Sequence, residues 1–353
     1  MVSFESDYVC GAHPEVLARL AETNLEPLPG YGADRYSLAA KEKILDAVGV
    51  EGSEVVFLVG GTQTNAVVIS TLLRDFEGVV AAKTGHISSH EAGAIEYTGH
   101  KVTELPQRDG KVEPDVLRDF LEGFYADRNH EHMPFPGMLY ISFPTEYGTL
   151  YSLAELKELS GICREFGMRL FIDGARMGYG LMSRSADVTL SDIARLSDAF
   201  TIGGTKVGAL CGEAVVFAGG RLPEHFLTSV KKRGALLAKG RLVGVQFDAL
   251  FTDGLYFRIG RKAIDAAEKM KEIFASHGLE TNIDSPTNQQ FVMLGDDLME
   301  RLSKRVAFGF WEKPDDAHTV VRFATSWSTT ESDLAELDAA LSETIGRDEG
   351  TRE

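Results

Sequence analysis

Cysteine is scarce in this chain: only Cys10, Cys163 and Cys211 occur. An odd, widely spaced set supplies neither a disulfide framework nor a paired-thiol metal site. It points to a reducing, cytoplasmic setting. A basic surplus is missing too. Lys and Arg total 36 against 53 Asp and Glu, a formal net charge of −17. Such a balance leaves no basic surplus to release counterions from nucleic acid and is disfavoured at an anionic lipid surface. No run approaches the roughly 18 uninterrupted apolar residues that a membrane-spanning helix needs. Residues Met1 to Asp7 lack the basic and apolar regions of a signal peptide.

What is there fits an ordinary globule: 44% hydrophobic and 25% charged residues disfavour disorder. A length of 353 residues suggests one large and one smaller domain, with a sizeable core. Residues 12–23 and 36–49 read as helices. Short apolar runs of strand length lie at 55–59, 79–82, 138–142, 170–173, 199–202 and 214–217. Helical patterns stand at 65–73, near His86–Tyr97 and at 153–166. Strands alternating with helices predict an α/β fold with a mostly parallel sheet. A long helix at 256–277, strands at 291–294 and 320–323, and a helix at 331–344 predict a smaller α+β C-terminal domain. The division expected is 1–255 and 256–353. The charged end from Gly346 to Glu353 is expected to fray.

Three features share one chemical logic. Gly60-Gly61-Thr62-Gln63 separates a strand from a helix, where free N–H groups and the helix dipole suit a phosphate; a plain tight turn is the alternative. Asp173 ends the apolar run Leu170–Asp173, where open α/β sheets place ligands. A carboxylate there can hold a protonated heterocyclic nitrogen, or simply cap the next helix. Lys206 lies in Gly203-Gly204-Thr205-Lys206-Val207-Gly208. A lysine drawn into a shielded site loses basicity and can form a Schiff base with an aldehyde; alone, it would read as a surface-loop lysine.

Together these features spell out a pyridoxal phosphate site. The chain resembles the fold-type I (aspartate-aminotransferase-like) pyridoxal-phosphate enzymes, and among them the low-specificity threonine aldolase and β-eliminating lyase family. The resemblance covers nearly the whole chain. It rests on Ser6-Asp7, Tyr31-Gly32, Gly61-Thr62-Gln63-Thr64-Asn65, His86 with Glu91-Ala92-Gly93, Asp173-Gly174-Ala175-Arg176 and Thr205-Lys206, which occur in family order.

The resemblance implies pyridoxal 5′-phosphate as cofactor, Lys206 as its Schiff-base lysine and Asp173 as partner of the ring nitrogen. It implies His86 stacked on the ring and a phosphate cradle from Gly61, Thr62 and Gln63. Thr205 and Arg176 complete the cofactor contacts, with Arg233 from the run Lys231-Lys232-Arg233. Ser6, Arg176 and Arg322 would hold the substrate carboxylate, which a guanidinium fork meets bidentately. Tyr31 matches a tyrosine that approaches the site, in related enzymes from a neighbouring subunit. The implied assembly is a homodimer or homotetramer with sites at the subunit boundary.

One departure stands out. Where many members carry Asn-Thr-His-Asn-Gly, this chain has Pro144-Thr145-Glu146-Tyr147-Gly148. Glu146 replaces a histidine associated with the β-hydroxyl proton. The candidates for the base are therefore Glu146, His86 and His90. His86 and His90 are spaced i, i+4, but the HExxH order and a clear third ligand are missing, so no metal is expected. The expected reaction is aldol cleavage of threonine or allo-threonine to glycine and acetaldehyde. β-Elimination with Lys206 as base, or amino transfer, would use the same cradle. A catalytically silent binding protein would not need Lys206, Asp173 and both arginines. A dinucleotide-binding GxGxxG is absent.

Overall fold

The computed structural model describes residues 1–349, with side chains through Ile345. Its centre is a seven-stranded sheet ordered Glu54–Leu58, Glu213–Phe217, Ala199–Gly203, Arg169–Asp173, Phe135–Ser142, Glu77–Ala82 and Val102–Leu105. The five strands from Ala199–Gly203 to Val102–Leu105 run parallel to one another, and Glu213–Phe217 is antiparallel to both its neighbours.

The unbroken apolar runs in the sequence have a direct explanation. Val80, Leu139, Ile141, Leu170, Ile172, Phe200 and Val216 enter one core. Their alternating neighbours Val79, Met138, Tyr140, Phe171, Ala199 and Val215 enter another, on the opposite face. A sheet buried on both faces needs apolar residues at both phases of the period-2 repeat. Each large aliphatic or aromatic side chain so buried contributes about 1.5–3 kcal/mol.

A four-stranded antiparallel sheet follows, ordered Gly309–Glu312, His318–Ala324, Gln289–Gly295 and Thr281–Ile283. Its core includes Met270, Phe274, Val292, Leu294, Val321, Phe323, Leu337 and Leu341. Helix Leu255–Ser276 joins the units: Tyr256 and Ile259 pack in the first core, Met270 and Phe274 in the last. The strand Val2–Ser3 pairs with Val306–Ala307, and Val2 and Phe4 pack in the C-terminal core. The N-terminal segment, expected with the large domain, thus packs with the small one. The 1–255 and 256–353 division remains a proposal that this segment crosses.

The helix expected near His86–Tyr97 is a single turn, His86–Ser89, followed by a short 3₁₀ turn at Glu96–Thr98. Ala92 and Gly93 adopt φ of 52° and 73° between them, which no right-handed helix accommodates. At the other end, the last helix runs from Glu331 to Glu349, past the Gly346 at which fraying was expected; the remaining residues of that tail lie outside the described part.

Candidate active site

Four of the five parallel strands deliver a side chain to the site at their C-terminal ends. Ser142 and Asp173 are register partners at the C-terminal ends of adjacent strands. His86 follows Glu77–Ala82, and Lys206 follows Ala199–Gly203. This is the crevice where open α/β sheets bind ligands. A cavity of about 670 Å³ opens there, lined by Lys206, Arg176, Arg322, His86, His90 and Glu146 among others. A smaller recess adjoins it, reaching Gly61, Ser142, Asp173 and Lys206.

Asp173 is buried and fully engaged. Its Oδ2 accepts from Tyr140 Oη at 2.6 Å and from Asn65 Nδ2 at 2.9 Å, and its Oδ1 accepts from Ala175 N at 2.9 Å. Burial pushes its carboxyl up, but the Tyr140 hydrogen bond, His86, Asn65 and Lys206 outweigh it, so the group is held below its ordinary value. Asn65 Nδ2 also donates to Glu91 Oε1 at 2.8 Å, and that oxygen lies 2.7 Å from His86 Nδ1. With Glu91 as carboxylate, Nδ1 carries the proton, which fixes the ring's tautomer.

Lys206 is half-buried. Burial and the Arg176 charge lower the basicity of its amine, against Asp7, Asp173 and Glu213. Glu146 is buried; its Oε1 accepts from Ser142 Oγ at 2.6 Å and from His86 N at 2.9 Å. Burial pushes this carboxyl up, opposed by Ser142 and His86. His90 caps the short helix, its ring centroid 5.8 Å from that of His86. Burial, then the charges of His86 and Arg322, lower its basicity.

The two arginines arrive from different units. Arg176 precedes helix Met177–Met182 and is clamped by Asp7. Arg322, on the C-terminal sheet, donates to Gln289 Oε1 at 3.3 Å and Glu5 O at 3.2 Å, and its guanidinium lies 5.8 Å from the Trp311 ring centre. Its Nε and the Ser6 Oγ are buried without a hydrogen-bond partner.

The remaining residues are placed differently. Helix Gly61–Leu72 starts with no side-chain cap at Gly60, so its first N–H groups stay available, and a Cβ on Gly60 or Gly61 would meet open space. Gln63 turns back, its Oε1 accepting from Val59 N at 3.4 Å, while Thr62 is exposed. The single O–H of Thr205 is committed to Glu213 Oε1 at 2.9 Å. Tyr31 lies apart from Lys206, lining a second cavity of about 380 Å³ with Gly32, Phe226 and Gly240. The Lys231 ammonium sits 5.0 Å from its ring centre, and Arg233 ends the same helix, Phe226–Lys232. Sequence reasoning assigned no role to Tyr140 or Glu213. The only available signals were a tyrosine within one mostly apolar strand and a glutamate at the start of another.

The profile of the β-eliminating lyase family matches residues 3–294. The chain belongs to that family. It is 28% identical to the low specificity L-threonine aldolase of a Pseudomonas species over 344 residues, 96% of each chain. The Pseudomonas aeruginosa low specificity L-threonine aldolase is also 28% identical, over 95% of each chain. The Leishmania major threonine aldolase structure superposes with a TM-score of 0.94 at 38% identity, covering 98% of this chain and all 100% of that one. Aspartate aminotransferase from Thermus thermophilus shares the fold, with a TM-score of 0.68 at 15% identity, over 98% of this chain and 91% of that one.

The residues present fit pyridoxal 5′-phosphate. A low-basicity amine, an anionic carboxylate at a strand end, an uncapped helix start with open space before it, and unpartnered donors at Ser6 and Arg322 match its aldehyde, ring nitrogen and phosphate and a substrate carboxylate.

Proposed function

We propose that this lyase cleaves β-hydroxy-α-amino acids, threonine and allo-threonine first, into glycine and an aldehyde. One observation carries the reading: Arg176 and Arg322 converge with Lys206, His90 and Glu146 on a single cavity. Two guanidiniums suit an α-carboxylate. Bound there, pyridoxal phosphate supplies an aldehyde carbon for an amine and an electron sink for the bond that breaks.

The protein's own residues do the rest. Lys206 offers an amine of lowered basicity, which favours its reactive neutral form. Asp173, held anionic, keeps a proton on the ring nitrogen. His86 presents its ring face while Glu91 fixes its tautomer. Arg322, Ser6 and the Asp7-clamped Arg176 hold the carboxylate and so orient Cα. Gly61, with Thr62 and Gln63 beside it, offers the phosphate cradle. His90 takes the β-hydroxyl proton as the Cα–Cβ bond breaks and the carbonyl forms; its lowered basicity keeps it unprotonated. Glu146 already accepts two hydrogen bonds on Oε1 and acts by placing the His86 backbone.

The two full-length relatives and the Leishmania structure are threonine aldolases, which favours carbon–carbon cleavage over β-elimination. Tyr31 and Arg233, away from this chain's own Lys206, suit a homodimer or homotetramer in which they complete a neighbour's site. Three unpaired thiols suit a reducing cytoplasm. Among the described residues no helix is long and apolar enough to cross a membrane.

The test is product identity with L-allo-threonine and the purified holo-protein. Acetaldehyde with equimolar glycine is expected. Keto acid without aldehyde would overturn the reading in favour of elimination.

A further inference from the structure

Glu213 is a buried carboxyl on the strand antiparallel to the one that leads to Lys206, directly opposite Gly203. Both of its oxygens grip the backbone segment that carries the lysine. Oε1 accepts from Thr205 Oγ1 at 2.9 Å and Oε2 from Gly204 N at 3.3 Å. Thr205 Oγ1 in turn accepts from Gly212 N at 3.1 Å, closing the loop on itself. The strand interior around it is otherwise apolar, Ala214 to Phe217. A carboxyl costs several kcal/mol to bury as an unpaired ion, so a lone structural acid is a poor choice there.

The charged groups acting on Glu213 are few. Lys206 stabilises its anion, and Asp173 opposes it. Helix Gly61–Leu72, packed against this strand, carries no titratable side chain. Glu54, on the neighbouring strand, sits at the far end opposite Phe217. Asp248, on helix Arg241–Leu250, is paired with Lys43 and Arg19. The Tyr256 phenol donates to Gly203 O at 3.0 Å. Acting on Lys206 itself are Arg176, Asp7 and Asp173 besides Glu213.

We propose that Glu213 is a positioning residue and charge partner for Lys206. It braces Gly204 and Thr205, next to Lys206, through both oxygens, and as a carboxylate it favours the ammonium form of Lys206. Burial pushes the Glu213 carboxyl up to about 8, opposed by Thr205 and Lys206, while burial lowers the Lys206 amine, so the two groups move toward each other. Two such groups titrate as a pair in two steps. The inference rests on Lys206 being the reactive amine.

The test is competitive acylation of Lys206 across pH, read by mass spectrometry on the full chain with and without added pyridoxal phosphate. Protection by the cofactor tests the assignment of Lys206; the midpoint without it tests the pairing. Wild type should titrate broadly. Glu213→Gln should titrate in one step, with the Lys206 midpoint lower by about one pH unit, the scale of a lost opposite charge. Glu213→Asp should restore the two-step behaviour. An unchanged midpoint in Glu213→Gln, even with a lower Tm, would reduce Glu213 to a brace and overturn the pairing. Should that variant fail to fold, infrared titration of the Glu213 carboxyl in Lys206→Met should shift to higher pH than in wild type, and no shift would overturn it equally.

Discussion

Asp7 meets Arg176 edge to edge: Nε donates to Oδ2 at 2.6 Å and Nη2 donates to Oδ1 at 3.0 Å. Asn288 Nδ2 adds a third donor to Oδ2 at 2.9 Å. One buried carboxylate thus ties the N-terminal segment to the turn after Asp173 and to the edge of the C-terminal sheet. Burial pushes the Asp7 carboxyl up, but Arg176 and Lys206 outweigh it and hold the group below its ordinary value. The stability this supplies is complete above the ordinary carboxylate range and is lost as pH falls through the lower, folded value.

Asp7→Asn should therefore lower Tm at neutral pH. Breaking a buried pair by removing one partner costs about 3–5 kcal/mol. Melts of wild type and variant should begin to converge as pH falls below about 4, where the unfolded carboxylate takes up its proton, and should meet once pH passes below the lower, folded value. A gap that stayed constant down to pH 3 would show that shape, not charge, is what Asp7 supplies.

Tyr140→Phe should act on Asp173. It removes the shortest hydrogen bond to that carboxylate, 2.6 Å, and leaves the ring packed against Phe171. The Asp173 carboxyl then rises, by about one unit for the loss of a strong donor to the charged form, so acid should release the cofactor from the variant at a higher pH than from wild type. Cofactor retention on acidification that is superimposable on wild type would refute the coupling.

Much of this site was legible in the sequence because its parts sit at ends of elements. Asp173 closes an apolar strand, Lys206 stands among glycines, and Gly60-Gly61 separates a strand from a helix; each is a break in a pattern. The fold followed from strands apolar at both phases. The parts that were not legible are long-range. Nothing local in Asp7 says that Arg176, 169 positions away, will occupy it. Tyr140 looks like an interruption of a buried strand, and Glu213 like a polar start to one, until the folded sheet sets Tyr140 against Asp173 and Glu213 against the Gly203–Thr205 segment. The helix expected at His86–Tyr97 failed for a backbone reason, the positive φ of Ala92 and Gly93, that composition alone under-signals.

His90 and Glu146 can be separated by two substitutions. Gln at 146 can still accept from Ser142 Oγ and His86 N on its own Oε1, so the local geometry survives. With His90 as base, Glu146→Gln should cost less than about ten-fold in kcat, whereas His90→Asn should cost about 10²–10⁴-fold, the usual range for removing a general base. The wild-type acid limb should lie below the ordinary histidine value of about 6.5, because burial favours the neutral ring, and it should vanish in His90→Asn. The reverse ranking of the two variants would transfer the role to Glu146.

Arg322→Ala should raise KM for amino-acid substrates by about ten-fold or more, since a charge-assisted contact contributes roughly 1.5–3 kcal/mol. The same variant should bind the cofactor normally, because Arg322 lies with Trp311 and Gln289 in the larger cavity and not in the adjoining recess of Gly61, Asp173 and Lys206. Lys206→Ala should show the opposite division, with no borohydride-fixed cofactor at that position. An unaltered KM in Arg322→Ala would remove it from carboxylate binding.

Tyr31 offers the sharpest test of assembly. Its backbone is held at φ 61°, its ring is 52% exposed, and it lines a cavity that does not contain Lys206. A residue so placed reaches an active site only if that site belongs to another copy. In a two-fold dimer each site would then combine Lys206 of one subunit with Tyr31 of the other. Lys206→Ala and Tyr31→Ala should each be impaired as pure proteins. Unfolded together in equal amounts and refolded, half of the dimers would be hybrids, each with one intact site, so activity should return to about one quarter of wild type. If Tyr31 served its own subunit, every hybrid would carry one site lacking Lys206 and one lacking Tyr31, and mixing would restore nothing.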